Sequence, residues 1–311
     1  MKLLVSSAPH ITGKDTTASL MRDLIIAMVP AMAASVFFFG VQTLILTAVS
    51  VLACVAFEYL YEKMLKKPIT VGDLSAAVTG ILLAFNCPPT LPLWTVVVGA
   101  FFAIIIVKQL FGGLGYNFAN PAIVARIILG LGYTGLMTSW TFPATVSGDA
   151  VASATPLAVY AAGGTVNYLD MFVGSTGGVL GETSALALLL GFVYLVVRKV
   201  ISPTIPVTYV ATVAVLAVVL GVDPVVYVLG GGLLLGAIFM ATDYVTSPYT
   251  EKGKIIFGIG LGVITVMIRR FGSMTEGVSY AILLMNLVVP YINKATRQKP
   301  LGAPKAVKEA K

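Results

Sequence analysis

Charged and metal-binding side chains are scarce in this sequence, and their scarcity excludes several classes of protein. Only 11% of the 311 residues are Asp, Glu, Lys or Arg, and the one histidine is His10. A lone histidine near the amino end leaves no Ser/His/Asp or Cys/His arrangement for hydrolysis. The two cysteines, Cys54 and Cys87, are too few to hold an iron–sulfur cluster or a structural zinc on this chain alone. We expect both to be buried as small apolar residues; the alternative is a ligand shared with a partner chain.

Long hydrophobic stretches make up most of what is present. Hydrophobic residues account for 58% of the chain, and the mean hydropathy is +0.96. A soluble domain cannot bury so much apolar surface, so the composition predicts an all-α polytopic membrane protein with about ten transmembrane helices. The apolar runs lie at 24–39, 41–61, 74–86, 91–107, 120–133, 184–197, 204–220, 225–241, 255–268 and 278–292.

The cations indicate which ends of these helices face the cytoplasm. With the amino end inside, all of the 20 Lys and Arg residues except Arg126, Arg269 and Arg270 fall in cytoplasmic loops or tails. Residues 127–197 contain no Lys or Arg at all. Because positive charge accumulates on the cytoplasmic side, we predict cytoplasmic termini and an external segment at 134–183, in a bacterial cytoplasmic (inner) membrane. The net charge of +7 therefore reflects orientation in a bilayer, and we expect no nucleic-acid partner.

The two halves of the chain carry similar motifs. The stretch GILLAFNCPP at 80–89 is matched by GAIFMATD at 236–243, and KQLFGG at 108–113 is matched by RRFGS at 269–273. Five predicted spans precede the external segment and five follow it, so the two repeats are inverted, and a basic end that is cytoplasmic in one becomes external in the other. The predicted organisation is a tail at 1–23, a first repeat at 24–133, the external loop at 134–183, a second repeat at 184–293 and a tail at 294–311.

Some predicted spans are too short to cross a membrane. The run at 120–133 would be roughly 21 Å long as a helix, against a hydrocarbon core of about 30 Å. The run at 74–86 is shorter still, and the run at 225–241 contains three consecutive glycines at 230–232. Short or glycine-broken segments in two inverted repeats are typical of discontinuous helices around a central site. The alternative is ordinary helices whose ends are misplaced.

Two polar residues of the span at 120–133 are candidates for a binding site. Asn120 precedes a proline, which predicts a helix start that could hold an anionic or carbonyl-rich ligand; a tight re-entrant turn is the alternative. Arg126 is an intramembrane cation, so it must face protein or water and pair with a carboxylate or a cofactor oxygen. The acidic residues near membrane depth are Glu58, Asp73 and Asp243. Structural pairing and an ion path remain equally open for Arg126.

The external segment contains a run of small residues, DAVASATP at 149–156, that ends in a threonine before a proline. Pro156 prevents a helix from continuing into this run, so we expect an extended strand with a reachable Thr155 hydroxyl. A modifying enzyme could accept such a strand. On composition alone, an ordinary loop threonine is the simpler interpretation.

Several motifs together resemble the RnfD/NqrB family of membrane flavoproteins. They are SAPH at 7–10, GDLSAAVTG at 72–80, KQLFGGLGYN at 108–117 with NPA at 120–122, ATDYVTSP at 241–248, and RRFG at 269–272 with EG at 276–277. The resemblance covers nearly the whole chain, and the length and the tail motif are closer to the shorter RnfD branch. It implies a fold of ten helices in two inverted repeats.

The resemblance also implies a cofactor, an FMN joined by a phosphoester to a threonine that closes the pattern Asp-x-x-Ser/Thr-Gly-Ala-Thr. In this chain Asp149, Ala154 and Thr155 match that pattern, while the small residues Ala152 and Ser153 replace its Ser/Thr-Gly pair. A nearby cation or helix end would stabilise a reduced, anionic flavin. The implied cofactor-binding residues are Thr155, Asp149, Ser153, Ala154, Arg126 and Asn120.

The family's complexes couple electron transfer between ferredoxin and NAD to the movement of Na⁺ or H⁺. The resemblance therefore implies an Rnf-type complex with the A, B, C, E and G subunits as partners, a flavin transferase for maturation, and no metal site on this chain. It implies a second, non-covalent flavin, riboflavin, only weakly. The alternatives are the B subunit of a quinone-reducing Na⁺ pump, a flavin-free channel or secondary transporter, and a passive scaffold for redox partners.

Overall fold

The computed structural model describes residues 15–140, 154–272 and 276–298, and within these ranges the regular structure is entirely helical. The first half contains α1 (Thr17–Phe39), α2 (Gln42–Met64), a 3₁₀ turn (Val71–Asp73), α3 (Ser75–Phe85), α4 (Leu93–Phe101, continued by a π-helix, Phe102–Gln109) and α5 (Pro121–Gly132). The connecting segment contains α6 (Thr134–Met137), α7 (Pro156–Ala161) and α8 (Tyr168–Val173). The second half contains α9 (Ala185–Val197), α10 (Thr204–Val219), α11 (Pro224–Leu229), α12 (Leu233–Leu235, continued by a π-helix, Gly236–Met240), α13 (Glu251–Phe271) and α14 (Val278–Thr296).

The prediction of a polytopic all-α membrane protein is confirmed. Among the described helices, α1, α2 and α14 are long and apolar enough to cross a bilayer, and five further apolar helices are shorter. Each predicted apolar run coincides with a helical segment once α11 and α12 are taken as one broken span. Large apolar side chains such as Leu52, Val219 and Tyr291 are about 70% exposed, as expected for a lipid-facing surface.

The two halves pack by one scheme. In the first half α2 lies against α3 and α4, and in the second half α10 lies against α11 and α13. The first spans of the two halves, α1 and α9, contact each other, and so do the last spans, α5 and α14. These contacts agree with the predicted pair of repeats, because a two-fold relation brings equivalent helices together at the axis.

The segment that joins the halves turns back into the bundle. The N–H groups of Leu180 and Gly181 donate to the carbonyls of Cys87 (3.1 Å) and Phe85 (2.9 Å), at the carboxyl end of α3. A Cβ at Gly181 would overlap the Cβ of Phe85, so glycine is required at this approach. The short helix α3 is therefore completed by the connecting segment, whose N–H groups satisfy carbonyls that would otherwise be left without donors.

Lys108, one of the cations assigned above to the cytoplasmic side, belongs to a buried ion pair. Lys108 is 2% exposed. Its Nζ lies 2.6 Å from the Oε1 atom of Glu58, a fully buried residue of α2. Gln109 donates to the same carboxylate (2.8 Å), and Lys108 also donates to Ser75 Oγ (2.6 Å). A lysine close to a helix end resembles a topology signal in sequence, but this one belongs to a buried ion pair.

One boundary and one segment differ from the predicted organisation. The helix α1 begins inside the predicted tail, because Thr16 and Ser19 form a reciprocal capping box, with Ser19 N–H donating to Thr16 Oγ1 (3.2 Å) and Thr16 N–H to Ser19 Oγ (2.9 Å). The segment at 134–183, predicted as a loop, contains the three short helices α6, α7 and α8. Both buried cysteines are fully enclosed, as expected.

Candidate functional site

Thr155 lies at the start of α7. Its Oγ1 accepts a weak hydrogen bond from the Ala158 N–H (3.4 Å), and Pro156 occupies the first helical position, where its missing N–H costs nothing. The expectation of a reachable hydroxyl is wrong for the folded chain, because Thr155 is only 6% exposed. Ala154 immediately precedes it, whereas Asp149 and Ser153 lie outside the described residues.

The helix that follows Thr155 rests on α11. Leu157 is buried against the residues just after α11, where a Cβ built at Gly231 would be 3.2 Å from Leu157 Cδ2. The N–H of Asp223, the N-cap of α11, donates to the Tyr160 hydroxyl (2.8 Å). Asp223 also accepts a hydrogen bond from the Tyr168 hydroxyl of α8. The Thr155 segment is thus attached to both ends of α11.

The predicted glycine break lies at the carboxyl end of α11. Gly231 and Gly232 both have positive φ, +65° and +68°, which L side chains rarely adopt, and they separate α11 from α12. Arg269 donates to the carbonyls of Gly230 (3.0 Å) and Gly231 (3.1 Å) at this break. Lys108 and Arg269, which match in sequence, are both buried cations, but Lys108 bonds to the side chains of Glu58 and Ser75 whereas Arg269 bonds to backbone carbonyls.

A cavity of about 540 Å³ opens beside α7, within the size range of cofactor pockets. Aromatic rings from Tyr160 and Tyr227 and the exposed guanidinium of Arg270 contribute to its wall. Rings can stack on a planar heterocycle, and an exposed arginine can pair with a phosphate or an anionic ring. The remaining lining residues are Leu157, Ala161, Gly163, Gly164, Val222, Arg269 and Gly272.

Arg126 lines a different cavity, of about 430 Å³, near the same end of the bundle. Its guanidinium pairs with Glu276 and donates to Ser279, both at the start of α14. None of the acidic residues that the sequence offered as partners contacts it. Trp140 and Tyr280 form part of the same wall, so two aromatic rings border this ion pair, in which Arg126 is buried and Glu276 is partly exposed. Thr155 does not line this cavity, and the structure does not join it to Arg126 directly.

Glu182 directly follows the loop that caps α3. Its carboxyl group lies close enough to both Arg126 and Arg269 to interact with them electrostatically. Burial and the negative charge of Glu276 raise the pKa of its carboxyl to about 7, although Arg126 opposes this shift. Its Oε2 would be 2.6 Å from a Cβ at Gly232, at the start of α12. A carboxyl group with a pKa near neutrality is thereby placed next to the break and close to Pro156, which lines the same small pocket.

Asn120 lies in a third location, toward the opposite end of the bundle. It caps α5 as predicted, with its Oδ1 accepting from the N–H groups of Ala122 (3.0 Å) and Ile123 (3.3 Å). The side chain therefore satisfies donors that a ligand would otherwise use. Asn120, Asn117 and Asp243 border a small cavity of about 80 Å³, and burial raises the pKa of the Asp243 carboxyl despite the hydrogen bond from Thr246.

Comparison with known proteins identifies the family. The sequence profile of the NQR2, RnfD, RnfE family matches residues 4–302. The chain is 51% identical to the D subunit of the Na(+)-translocating ferredoxin:NAD(+) oxidoreductase complex of Acetobacterium woodii, with 100% of this chain and 99% of the relative covered. It is 40% identical to the proton-translocating counterpart from Clostridium ljungdahlii and 37% identical to the D subunit of an ion-translocating oxidoreductase complex from Methanosarcina acetivorans, each with 96% of both chains covered.

The chain belongs to the NQR2, RnfD, RnfE family. The resemblance inferred from its motifs is confirmed. The sequence motifs named Thr155 and Arg126 as candidates but gave no sign that Glu276, Glu182 and Arg269 lie near them. The available signals were the acidic residue in EG at 276–277 and the acid that ends the glycine-rich stretch at 174–182, but neither indicates a partner.

Proposed function

We propose that this chain is the membrane-embedded D subunit of an ion-translocating ferredoxin:NAD oxidoreductase and carries FMN as a phosphoester on Thr155. The family membership and the names of three relatives support the complex. The observation that carries the attachment site is local: Thr155 starts a short helix that lies against a flavin-sized cavity with two tyrosines and an exposed arginine.

The residues that line the cavity beside α7 fit this cofactor; Thr155 itself lies outside that lining, two residues before Leu157. When bound, the flavin supplies the electron-transfer chemistry, and the protein supplies orientation and electrostatics. Thr155 Oγ1 provides the ester oxygen, and the packing of Leu157 fixes where the helix begins. Tyr160 offers a ring face to a planar heterocycle, and Arg270 offers positive charge to a phosphate or an anionic ring. Tyr227, which is 5% exposed with Arg269 over its ring, only borders the cavity.

The burial of Thr155 constrains the order of maturation. A flavin transferase must bring Oγ1 to the phosphorus of an activated FMN donor such as a flavin dinucleotide. The Oγ1–P bond then forms as the donor's phosphoanhydride bond breaks, a nucleoside monophosphate leaves and the hydroxyl proton passes to a base. Because the side chain is 6% exposed in the folded chain, attachment has to occur before α7 packs on α11 or while α7 is lifted away. The small residues at 152–154 suit a strand that enters an enzyme's active site.

The orientation and the partners are part of the same proposal. The absence of Lys and Arg from residues 127–197 supports an external Thr155 and cytoplasmic termini in a bacterial cytoplasmic membrane. The A, B, C, E and G subunits of an Rnf-type complex would supply the remaining electron carriers. One relative is named for Na⁺ and another for protons, so the family includes both ions.

A second flavin, riboflavin, is proposed from the family resemblance alone. The cavity bordered by Asn117, Asn120 and Asp243 has a volume of about 80 Å³, which is below the size of ligand pockets, and Asn120 is already engaged in capping α5. The described residues therefore offer this flavin no site that fits it.

Four versions of the chain, co-produced with a flavin transferase, test the attachment. Thr155→Asn keeps an N-cap acceptor but lacks the hydroxyl, so it should fold without a flavin band on a denaturing gel. Thr155→Ser keeps both and should remain fluorescent. Thr165→Ala, in the exposed stretch after α7, is the matched control and should label like the unmodified chain.

The same experiment separates the alternatives. Labelling of Thr155→Asn would remove the attachment site from the proposal. Absence of flavin from every version, together with solute uptake by the chain in liposomes, would favour a flavin-free transporter. Turnover with a quinone in place of ferredoxin and NAD would favour the B subunit of a quinone-reducing pump, and full turnover of a complex containing Thr155→Asn would favour a scaffold.

A further inference from the structure

The Arg269 side chain donates its hydrogen bonds to backbone carbonyls of the second half. Its Nε donates to the Glu276 carbonyl (2.9 Å), one Nη to the Tyr227 carbonyl, and the other Nη to the Gly230 and Gly231 carbonyls. The guanidinium is 9% exposed and lies over the Tyr227 ring, 5.8 Å from its centroid. With its donors directed at these carbonyls, Arg269 holds the carboxyl end of α11 in place.

The same break also carries the Thr155 segment. Leu157 approaches both Gly230 and Gly231: a Cβ built at Gly230 would lie 3.7 Å from Leu157 Cβ, and one built at Gly231 would lie 3.2 Å from Leu157 Cδ2. The Cβ built at Gly231 would also lie 2.7 Å from an Nη of Arg269, so Arg269 and Leu157 contact the same glycine turn. Any shift of this turn must move α7, because interiors packed at this density do not deform freely.

We propose that Arg269 is a positioning residue for the group on Thr155. By hydrogen bonding to the carbonyls of Gly230 and Gly231, it acts as a clamp that fixes the carboxyl end of α11. Through the contact with Leu157, it also fixes the position and axis direction of α7. This inference rests on the proposed function for the identity of the group. The clamp itself is a property of the polypeptide and can be measured with no cofactor present.

The adjacent arginine provides a matched comparison. Arg270 has the same charge, lies on the same helix end and lines the same cavity, but it is exposed and forms no hydrogen bond within the described ranges. Arg270→Gln therefore measures the effect of removing one positive charge near the site. Arg269→Lys keeps the charge but loses the planar fork that reaches several carbonyls at once.

The experiment compares Arg269→Lys, Arg269→Gln and Arg270→Gln in the assembled complex. Amide hydrogen exchange should rise at least roughly tenfold in α7 and α11 for both Arg269 variants, since several buried hydrogen bonds are lost, and stay near the unmodified rate for Arg270→Gln. Reduction of the flavin by reduced ferredoxin should slow by about tenfold or more in Arg269→Lys at unchanged flavin content, because small misplacements are costly.

If an Arg269 variant fails to assemble, the Leu157→Ala variant still tests whether the contact with the glycine turn holds α7 in place. It removes the contact between α7 and the glycine turn but leaves the Arg269 hydrogen bonds intact, so exchange should rise in α7 and not in α11. In that background Arg269→Lys should add little further exchange in α7.

Unchanged exchange in α7 for Arg269→Lys, or an undiminished effect of that variant in the Leu157→Ala background, would overturn the clamp. Flavin reduction at the unmodified rate in Arg269→Lys, with slowing only in Arg269→Gln, would reduce the role of Arg269 to that of its charge. Absence of a flavin adduct on the unmodified chain would instead contradict the proposed function, and the exchange measurements would still decide the clamp.

Discussion

Removing Lys108 should destabilise the protein more than removing any exposed lysine. The Nζ of Lys108 lies 2.6 Å from Glu58 Oε1, with side-chain exposures of 3% and 0%, and Glu58 Oε2 has no hydrogen-bond partner among the described residues. Lys108→Met would leave a buried carboxylate with only Gln109 as donor. Breaking a buried pair on one side costs about 3–5 kcal/mol.

A second ion pair of the same length provides the control. Lys254 Nζ lies 2.7 Å from Glu251 Oε1 near the start of α13, but these side chains are 19% and 64% exposed. Exposed pairs of this kind contribute about 0–1 kcal/mol after screening by solvent, so Lys254→Met should be nearly neutral. The comparison holds the N–O distance constant and varies burial.

The assay is unfolding of the purified chain in mixed micelles, followed by circular dichroism as the denaturing detergent fraction rises. The double variant Lys108→Met/Glu58→Gln should recover part of the loss, because it removes the uncompensated charge together with its partner. Equal losses for Lys108→Met and Lys254→Met would refute the argument from burial. So would a double variant that is less stable than Lys108→Met.

Two further predictions concern the loop that turns back into the bundle. Gly181→Ala should cost about 1–3 kcal/mol by overpacking, since its Cβ would overlap the Cβ of Phe85, whereas Gly130→Ala, with nothing within 4 Å, should be neutral or slightly stabilising in the same unfolding assay. Comparable losses would contradict the close approach. The pKa of Glu182 is raised from 4.5 to about 7 in the folded state, so the folded chain holds a proton that the unfolded chain releases, and stability should fall as pH rises from 4.5 to about 7. Glu182→Gln should flatten this decline in unfolding measured across that pH range; an unchanged slope would assign it to another group.

Local signals predicted much of the fold. Apolar runs located the helical segments because the hydrocarbon core demands long apolar stretches. Asn120 before a proline predicted the start of α5, and three glycines at 230–232 predicted the break between α11 and α12. Each of these features depends on neighbouring residues only, so a single sequence contains the information.

Contacts between distant residues could not be predicted in the same way. Arg126 was recognised as a cation needing a partner, but Glu276 lies 150 positions away, and three other acids were equally plausible by depth. The burial of Lys108 and of Thr155 depends on how α2 and α11 pack, which no local pattern encodes. The loop that caps α3 was missed because it has no apolar periodicity.

The mass of the tryptic or chymotryptic peptide containing Thr155, taken from the native complex, tests the central claim most directly. We expect fragmentation to place on Thr155 an added mass equal to FMN less one water. An unmodified peptide as the main species, or the same added mass on Ser153 or Thr165, would contradict it.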